Sequence, residues 1–221
     1  MQRAFLLHCL LPGTAALLLA QAHPSIHQLQ AEDHFHKPAP PVEVTPVRLG
    51  LEVLLSDSID LIRGKRLALV TNQTGRDHQG RPNYQLLLSL PDVELKVIFS
   101  PEHGLLGEAA AGESVRYGDK FQTLPPVISL YGDVRKPTPD MLRDVDLILY
   151  DIQDIGARFY TYISTLGLVL EAAGEQQIPV LVLDRPDPLT GIRIGGPRLD
   201  PDYRSFVGFY PLPIQYGLTV G

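Results

Sequence analysis

The stretch Asp146–Ala173, D-L-I-L-Y-D-I-Q-D-I-G-A-R-F-Y-T-Y-I-S-T-L-G-L-V-L-E-A-A, limits what this chain can fold into more than any other. Leu147–Tyr150 is a continuous apolar run that stops abruptly at an acid, the pattern of a strand buried on both faces of a parallel sheet. Asp151, Gln153, Asp154, Arg158, Tyr160 and Tyr162 follow within a dozen residues, and from Ile163 apolar positions return at helical spacing through Leu166 and Leu170. The polar cluster therefore sits where a strand hands over to a helix. In open α/β sheets that edge, beyond the carboxyl ends of the strands, is where ligands bind. A solvated loop would need neither two tyrosines nor an arginine beside two acids.

The same pattern recurs along the chain. Leu51, Val53, Leu54, Leu55, Ile59 and Ile62 predict an amphipathic helix ended by Gly64. Strands are predicted at Leu67–Val70, Glu94–Ser100, Pro126–Leu130, Leu147–Tyr150 and Pro179–Leu183. Helices are predicted at Asn83–Leu90, from Pro139 to Arg143, and from Ile163 to about Gln177. Gly104–Tyr117, rich in glycine and alanine, reads as a mobile loop able to close over a substrate, and Leu189–Gly221 gives no clear element. Strands alternating with helical patterns imply an α/β fold, a doubly wound, mostly parallel Rossmann-like sheet with helices on both faces. Each of the five strand ends carries polar or aromatic groups: Asn72 and Gln73, Glu102 and His103, Tyr131, Asp151 with Asp154, and Asp184 with Arg185. Five such ends on one edge describe a cleft.

The folded body is expected to span 49–221. Ahead of it, Met1–Arg3 is a short basic start, Ala4–Leu19 is apolar, and Ala20-Gln21-Ala22 is an A-x-A cleavage pattern. Residues 1–22 therefore read as a secretory signal peptide, and the product is expected to be secreted or periplasmic, with no membrane span after cleavage. His23–Arg48, with five prolines and four histidines, reads as a disordered tether. The single cysteine, Cys9, lies in the leader, so the mature chain has neither a disulfide nor a thiol nucleophile.

Composition then narrows the chemistry. A formal charge of -6 over 221 residues disfavours a nucleic-acid partner. The turn after the first strand is T-N-Q-T-G, with no G-x-G-x-x-G, and no Walker lysine pattern occurs, so no nucleotide cofactor is expected. A serine nucleophile elbow, G-x-S-x-G, is absent. The folded body holds only His78 and His103, too few for the usual three-histidine zinc site, although Asp151, Asp154 and His103 together leave a metal-dependent hydrolase as an alternative. The carboxylates Glu102, Asp151, Asp154 and Asp184 remain. Hydrolysis of a glycosidic bond uses one carboxylic acid to protonate the leaving oxygen and usually a second carboxylate as base or nucleophile. Aromatic rings beside them suit sugar faces, and Asn, Gln and Arg suit hydroxyl and carboxylate groups. Glu102, at the end of an apolar strand, is the best acid candidate.

Six segments occur together and in order: T-N-Q-T-G (71–75), S-P-E-H-G (100–104), S-L-Y-G (129–132), Y-D-I-Q-D-I-G-A-R-F-Y-T-Y (150–162), L-D-R-P-D-P (183–188) and S-F-V-G (205–208). In these the chain resembles the exo-β-N-acetylmuramidase (NamZ-type) family over about 49–221. The resemblance implies a glycosidase of bacterial cell-wall turnover that removes N-acetylmuramic acid (MurNAc) from the non-reducing end of peptidoglycan-derived MurNAc-GlcNAc fragments. It implies a Rossmann-like domain followed by a smaller second domain, with the site between them, and it puts the catalytic glutamate of P-E-H-G at Glu102. Family members run beyond Gly221, so the second domain is expected to be missing here, leaving apolar surface on Leu189–Gly221 with Phe206, Phe209, Tyr210 and Tyr216. Asp187 stands where asparagine is usual in R-P-N-P, and Pro197 is a second departure.

Within that reading Asp151 and Asp154 join Glu102 as catalytic candidates. Asn72, Gln73, His103, Tyr131, Arg158, Tyr160, Tyr162, Asp184 and Arg185 are the substrate-binding candidates, with Arg158 or Arg185 matched to the lactyl carboxylate of muramic acid. No metal or other cofactor is required. The rival reading in a different class is a sugar- or muropeptide-binding module without catalysis.

Overall fold

The computed structural model describes residues 46–110, 113 and 123–221. The leader expected at 1–22, most of the tether, and much of the second half of the loop expected at Gly104–Tyr117 lie outside the described residues. Five strands, β1 (Arg66–Thr71), β2 (Glu94–Ser100), β3 (Val127–Ser129), β4 (Leu147–Asp151) and β5 (Val180–Val182), form one sheet in the order β3-β2-β1-β4-β5. Every pairing is parallel, as the strand-helix alternation predicts.

Alternation along each strand explains the two layers. Ala68 and Val70 of β1, Val97 and Phe99 of β2, and Ile148 and Tyr150 of β4 point to one face. There they meet α3 (Tyr162–Gln176) through Tyr162, Leu166, Val169, Ala172 and Ala173. Leu67 and Leu69, Leu95 and Ile98, and Leu147 and Leu149 point to the other. That face is covered by α1 (Gly50–Asp57), through Leu51 and Leu54, and by Leu87 of α2 (Asn83–Leu88). A period of two with both faces apolar buries a strand on both sides, which is why β1 and β4 read as unbroken hydrophobic runs. Leu95 and Val97 escape the alternation because the β1–β2 register shifts between Leu67 and Ala68, leaving Lys96 as an unpaired bulge residue.

Three element expectations change. The first helix is shorter: α1 ends at Asp57, Ser58 turns out of the helical region, and Ile59–Leu61 make a single 3₁₀ turn before Gly64 reverses the chain at φ +70°. Arg48, assigned to the tether, is already tied to this helix through Asp57 and Ser56. Residues 139–143 form hydrogen-bonded turns rather than a helix, because Asp144 takes a left-handed φ of +62° and stops propagation after one turn. The carboxyl-terminal stretch is not featureless. Gln215 pairs as isolated bridges with both Gly195 and Ala157, and Pro201–Tyr203 make a 3₁₀ turn.

Four aromatic residues of that stretch pack inward: Tyr216 is buried, and Phe206, Phe209 and Tyr210 are half-buried. Its exposed apolar groups are instead Leu189, Ile192, Ile194, Tyr203, Val207, Ile214 and Leu218. Among the described residues no helix is long and apolar enough to cross a membrane.

Candidate active site

The strand order reverses between β1 and β4, the crevice where open α/β sheets take ligands. Thr71 and Asp151 end these strands in register. Asn83, the first residue of α2 and fully buried, donates from Nδ2 to Thr71 Oγ1 at 2.7 Å and to Asp151 Oδ2 at 2.8 Å. Thr71 Oγ1 donates in turn to the Asp151 carbonyl at 3.0 Å. Arg185, from the loop after β5, donates through Nε to Asp151 Oδ1 at 2.7 Å and through Nη2 to the Arg76 carbonyl at 2.9 Å. Both Asp151 oxygens are thus engaged within the protein. Burial pushes the pKa of its carboxyl up, and the Arg185 and Asn83 hydrogen bonds pull it back down.

The loop after β1 is shaped by its own side chains. Asn72 Oδ1 accepts from the amide and hydroxyl of Thr74, at 2.9 and 2.6 Å, and Thr74 Oγ1 accepts from the Gln153 amide at 2.9 Å. The Asn72 amide approaches the Tyr162 hydroxyl closely enough to favour its ionised form, yet Nδ2 is buried and makes no hydrogen bond of ordinary geometry. Gln73 lies flat against Gly107, whose φ of +72° and lack of a Cβ permit the contact. Its Oε1 is buried without a hydrogen-bond partner. The loops after β1 and β2 therefore pack against each other.

Glu102 follows β2 and Pro101. His103 at φ +69° and Gly104 at φ +76° then turn the chain away. The carboxylate is half-buried. Thr161 Oγ1, at the amino end of α3, donates to Glu102 Oε2 at 3.1 Å, and the Tyr131 hydroxyl, just after β3, lies beside the same carboxylate. Glu102 raises the pKa of Tyr131, because a neighbouring carboxylate penalises a phenolate. His103 donates from Nδ1 to the Ala109 carbonyl at 2.9 Å, which fixes the tautomer and leaves Nε2 as the acceptor in the neutral ring.

Tyr160 and Tyr162 stack edge-on, ring centres 4.6 Å apart, and burial raises the pKa of Tyr162. Tyr150, the penultimate residue of β4, anchors this pair by donating to the Tyr162 carbonyl at 2.9 Å.

Asp154 is buried. Its Oδ1 accepts from the Gly156 amide at 2.7 Å and from the Tyr216 hydroxyl, while Oδ2 has no partner. Burial raises its pKa against the pull of those two donors. Gly156, at φ +72°, lies against the Asp187 carboxylate, whose Oδ2 is likewise buried and unpartnered.

The structure separates the sequence candidates into groups. Glu102, Tyr131, Asn72, Gln73, His103, Tyr160 and Tyr162 lie along the loops after β1, β2 and β3 and the entry to α3. Asp151 and Arg185 form a buried pair beneath them. Asp184 turns away: its carbonyl accepts from Gly50 at 2.9 Å, and its side chain lines a groove of about 490 Å³ beside α1, with Val53, Leu54 and Leu61. Arg158 does not face a ligand through Nη1, which donates to the carbonyls of Leu212 and of Pro197, the latter at 3.0 Å. The expected pairing of Arg158 or Arg185 with a substrate carboxylate therefore meets guanidinium donors already committed to the protein. Among the described residues no three potential metal ligands converge, and Asp151, Asp154 and His103 each face different partners. Thr161, Asn83, Tyr216 and Asp187 were not legible as site residues. Asn83 had one signal, an amide directly after Pro82 at a helix start.

Comparison with known proteins fits this arrangement. Residues 67–221 match the family model of the exo-beta-N-acetylmuramidase NamZ N-terminal region. The chain is 47% identical over 175 residues to the peptidoglycan beta-N-acetylmuramidase NamZ of Bacillus subtilis (strain 168), covering 79% of this chain and 42% of that protein. Two crystal structures of DUF1343 family proteins from Bacteroides fragilis NCTC 9343 share the fold. One has a TM-score of 0.71 and 44% identity, covering 78% of this chain and 43% of that one. The other has a TM-score of 0.67 and 33% identity, covering 80% and 45%. The chain spans less than half the length of these relatives. By the matched residues and the fold alike, this chain belongs to the exo-β-N-acetylmuramidase NamZ family, in the N-terminal region of that family.

Proposed function

We propose that the protein is a secreted glycosidase that removes N-acetylmuramic acid from the non-reducing end of peptidoglycan fragments such as MurNAc-GlcNAc, in cell-wall turnover. The observation that carries this reading is the placement of Glu102. It is a half-buried carboxylate at the carboxyl end of β2, held by the Thr161 hydroxyl at the entry to α3 and flanked by the Tyr131 hydroxyl after β3. A carboxyl group fixed there, at the carboxyl edge of the sheet, is positioned to protonate a glycosidic oxygen as a general acid. The relative from Bacillus subtilis carries the matching activity in its name, and the leader expected at 1–22 supports export.

In this reading Asp151 is a scaffold group. Its ion pair with Arg185 and its bond to Asn83 hold the ends of β1 and β4 and the loop after β5 beneath the cleft. The half-buried ring of Tyr160 and side chain of Gln73 offer a sugar a mixed apolar and polar wall, with Asn72 and Tyr162 buried behind them. His103, fixed on Ala109, offers Nε2 as a hydrogen-bonding group.

The test is release of free N-acetylmuramic acid from MurNAc-GlcNAc by the purified protein, followed by mass spectrometry, beside Glu102→Gln. Turnover should fall about 10²-fold or more in the variant, with an unchanged thermal melt. Undiminished turnover in Glu102→Gln would remove the assignment.

A further inference from the structure

The commitment of Arg158 and Arg185 to the protein leaves open which cation meets the carboxylate that distinguishes muramic acid from N-acetylglucosamine. We propose that Arg135 recognises it, an inference that rests on the glycosidase reading of the Glu102 site. Arg135 follows β3 on the turn that begins with Tyr131 and Gly132. Its guanidinium carbon stands 5.8 Å from the centre of the Tyr131 ring and 4.6 Å from that of Phe206. Those two rings lie 6.1 Å apart and tilted by 54°. Tyr131 therefore stands between the two groups: its hydroxyl lies beside Glu102, and its ring carries Arg135.

The other cations nearby are neutralised. Arg204 pairs with Glu171 at 3.0 Å, and Lys136 pairs with Glu175 at 2.6 Å and approaches Glu171 at 4.0 Å. Arg135 makes no ion pair with any carboxylate among the described residues, Asp133 on the same turn included. It borders a cavity of about 750 Å³ that it shares with Asp133, Lys136, Arg204 and Phe206. A guanidinium stacked on aromatic faces keeps its N–H groups in the plane and directed outward, which is the arrangement that meets a carboxylate with two parallel hydrogen bonds. A pyranose whose glycosidic oxygen meets Glu102 carries its C3 substituent two ring carbons from the anomeric centre, away from the scissile bond. The lactyl ether of muramic acid is that substituent. N-acetylglucosamine has a hydroxyl there and no charge to offer.

The test uses the purified protein with Arg135→Met and Arg135→Lys, and two substrates: MurNAc-GlcNAc and its lactyl carboxamide. The wild type should favour the acid over the amide by about 10- to 100-fold in kcat/KM, the range of a hydrogen bond to a charged group. Arg135→Met should lose that preference through KM, keeping kcat within about threefold, and should process the amide as well as the wild type does. Arg135→Lys keeps the charge without the planar stack and should retain part of the preference. Thermal melts of both variants should match the wild type, because the side chain is exposed.

If Arg135→Met cleaves MurNAc-GlcNAc with the full preference for the acid, the inference is overturned while the glycosidase reading stands. If the wild type cleaves neither substrate, that reading fails, and calorimetry with free N-acetylmuramic acid and its amide decides the Arg135 role alone. Weaker binding of the acid only, in Arg135→Met, upholds it, and equal binding by both proteins overturns it.

Discussion

Asp151 and Arg185 form a buried ion pair, Nε to Oδ1 at 2.7 Å, with side chains 0% and 6% exposed. Asp151 ends β4 and Arg185 stands on the loop after β5, and the pair joins the two beneath the carboxyl edge of the sheet. Removing one partner of such a pair leaves an uncompensated charge in the interior. Arg185→Met should cost about 3–5 kcal/mol of stability. Adding Asp151→Asn to it should recover part of that loss, because the buried charge is then gone. Urea denaturation of the single and double variants measures both. A single variant within 1 kcal/mol of the wild type would show that the pair is not the clamp described here.

A pair of carboxylates predicts a pH dependence. Asp154 and Asp187 flank Gly156, and each has a buried Oδ2 without a hydrogen-bond partner. Burial raises the folded-state pKa of Asp154, so the folded protein holds that proton at pH values where the unfolded chain has already lost it. Its contribution to stability is complete below about pH 4, the unfolded value, and is lost as pH rises through the folded value. Asp187→Asn supplies an amide beside the Asp154 oxygen and removes one negative charge. The variant should be more stable than the wild type near neutrality by about 1 kcal/mol, with a shallower decline in Tm from pH 4.5 to 7. Parallel Tm profiles for the two proteins would contradict this coupling.

Gly50 opens α1 where the helix meets the loop after β5. Its amide donates to the Asp184 carbonyl at 2.9 Å, and a Cβ there would overlap the backbone of Leu183 and Asp184. Backbone cannot rotate aside as a side chain can. Gly50→Ala should therefore destabilise the protein by about 1–3 kcal/mol despite the gain in helix propensity, the usual cost of overpacking. A Tm equal to or above that of the wild type would show that α1 docks less closely than this.

If Glu102 donates a proton to the leaving oxygen, the cost of losing it depends on the leaving group. Glu102→Gln should impair hydrolysis of the natural disaccharide far more than that of a nitrophenyl muramide, whose phenolate departs with little protonation. Steady-state kinetics on both substrates give the comparison. An equal loss on both would make Glu102 a base or nucleophile instead.

Much of the architecture was legible because parallel strands buried on both faces have a plain signature. Leu67–Val70 and Leu147–Tyr150 are unbroken apolar runs, and each is followed by a polar residue, Thr71 or Asp151, that ends the strand. Glu102 was legible for the same reason. The turn at 139–143 was misread, since a single turn of helix and a run of hydrogen-bonded turns share composition and differ only in what stops them, here the left-handed Asp144. The inward packing of Phe206, Phe209 and Tyr216 was misread because an aromatic residue in an irregular segment carries no periodicity that tells its side.

The local pattern of side chains determined the fold class, the strand ends and the position of Glu102 beyond β2, since hydrophobic alternation and turn residues act over a few neighbours. Tertiary structure alone decided which charges are available. Asp151, Arg158 and Arg185 stand, like Glu102, in polar stretches at or after strand ends, and nothing within a few residues of each shows that they are engaged. Their partners lie 34 residues away for the Asp151–Arg185 pair and 39 and 54 residues away for the carbonyls that hold Arg158. A charge's function depends on what surrounds it in three dimensions, because desolvation and pairing are set by contacts that the chain makes only when folded.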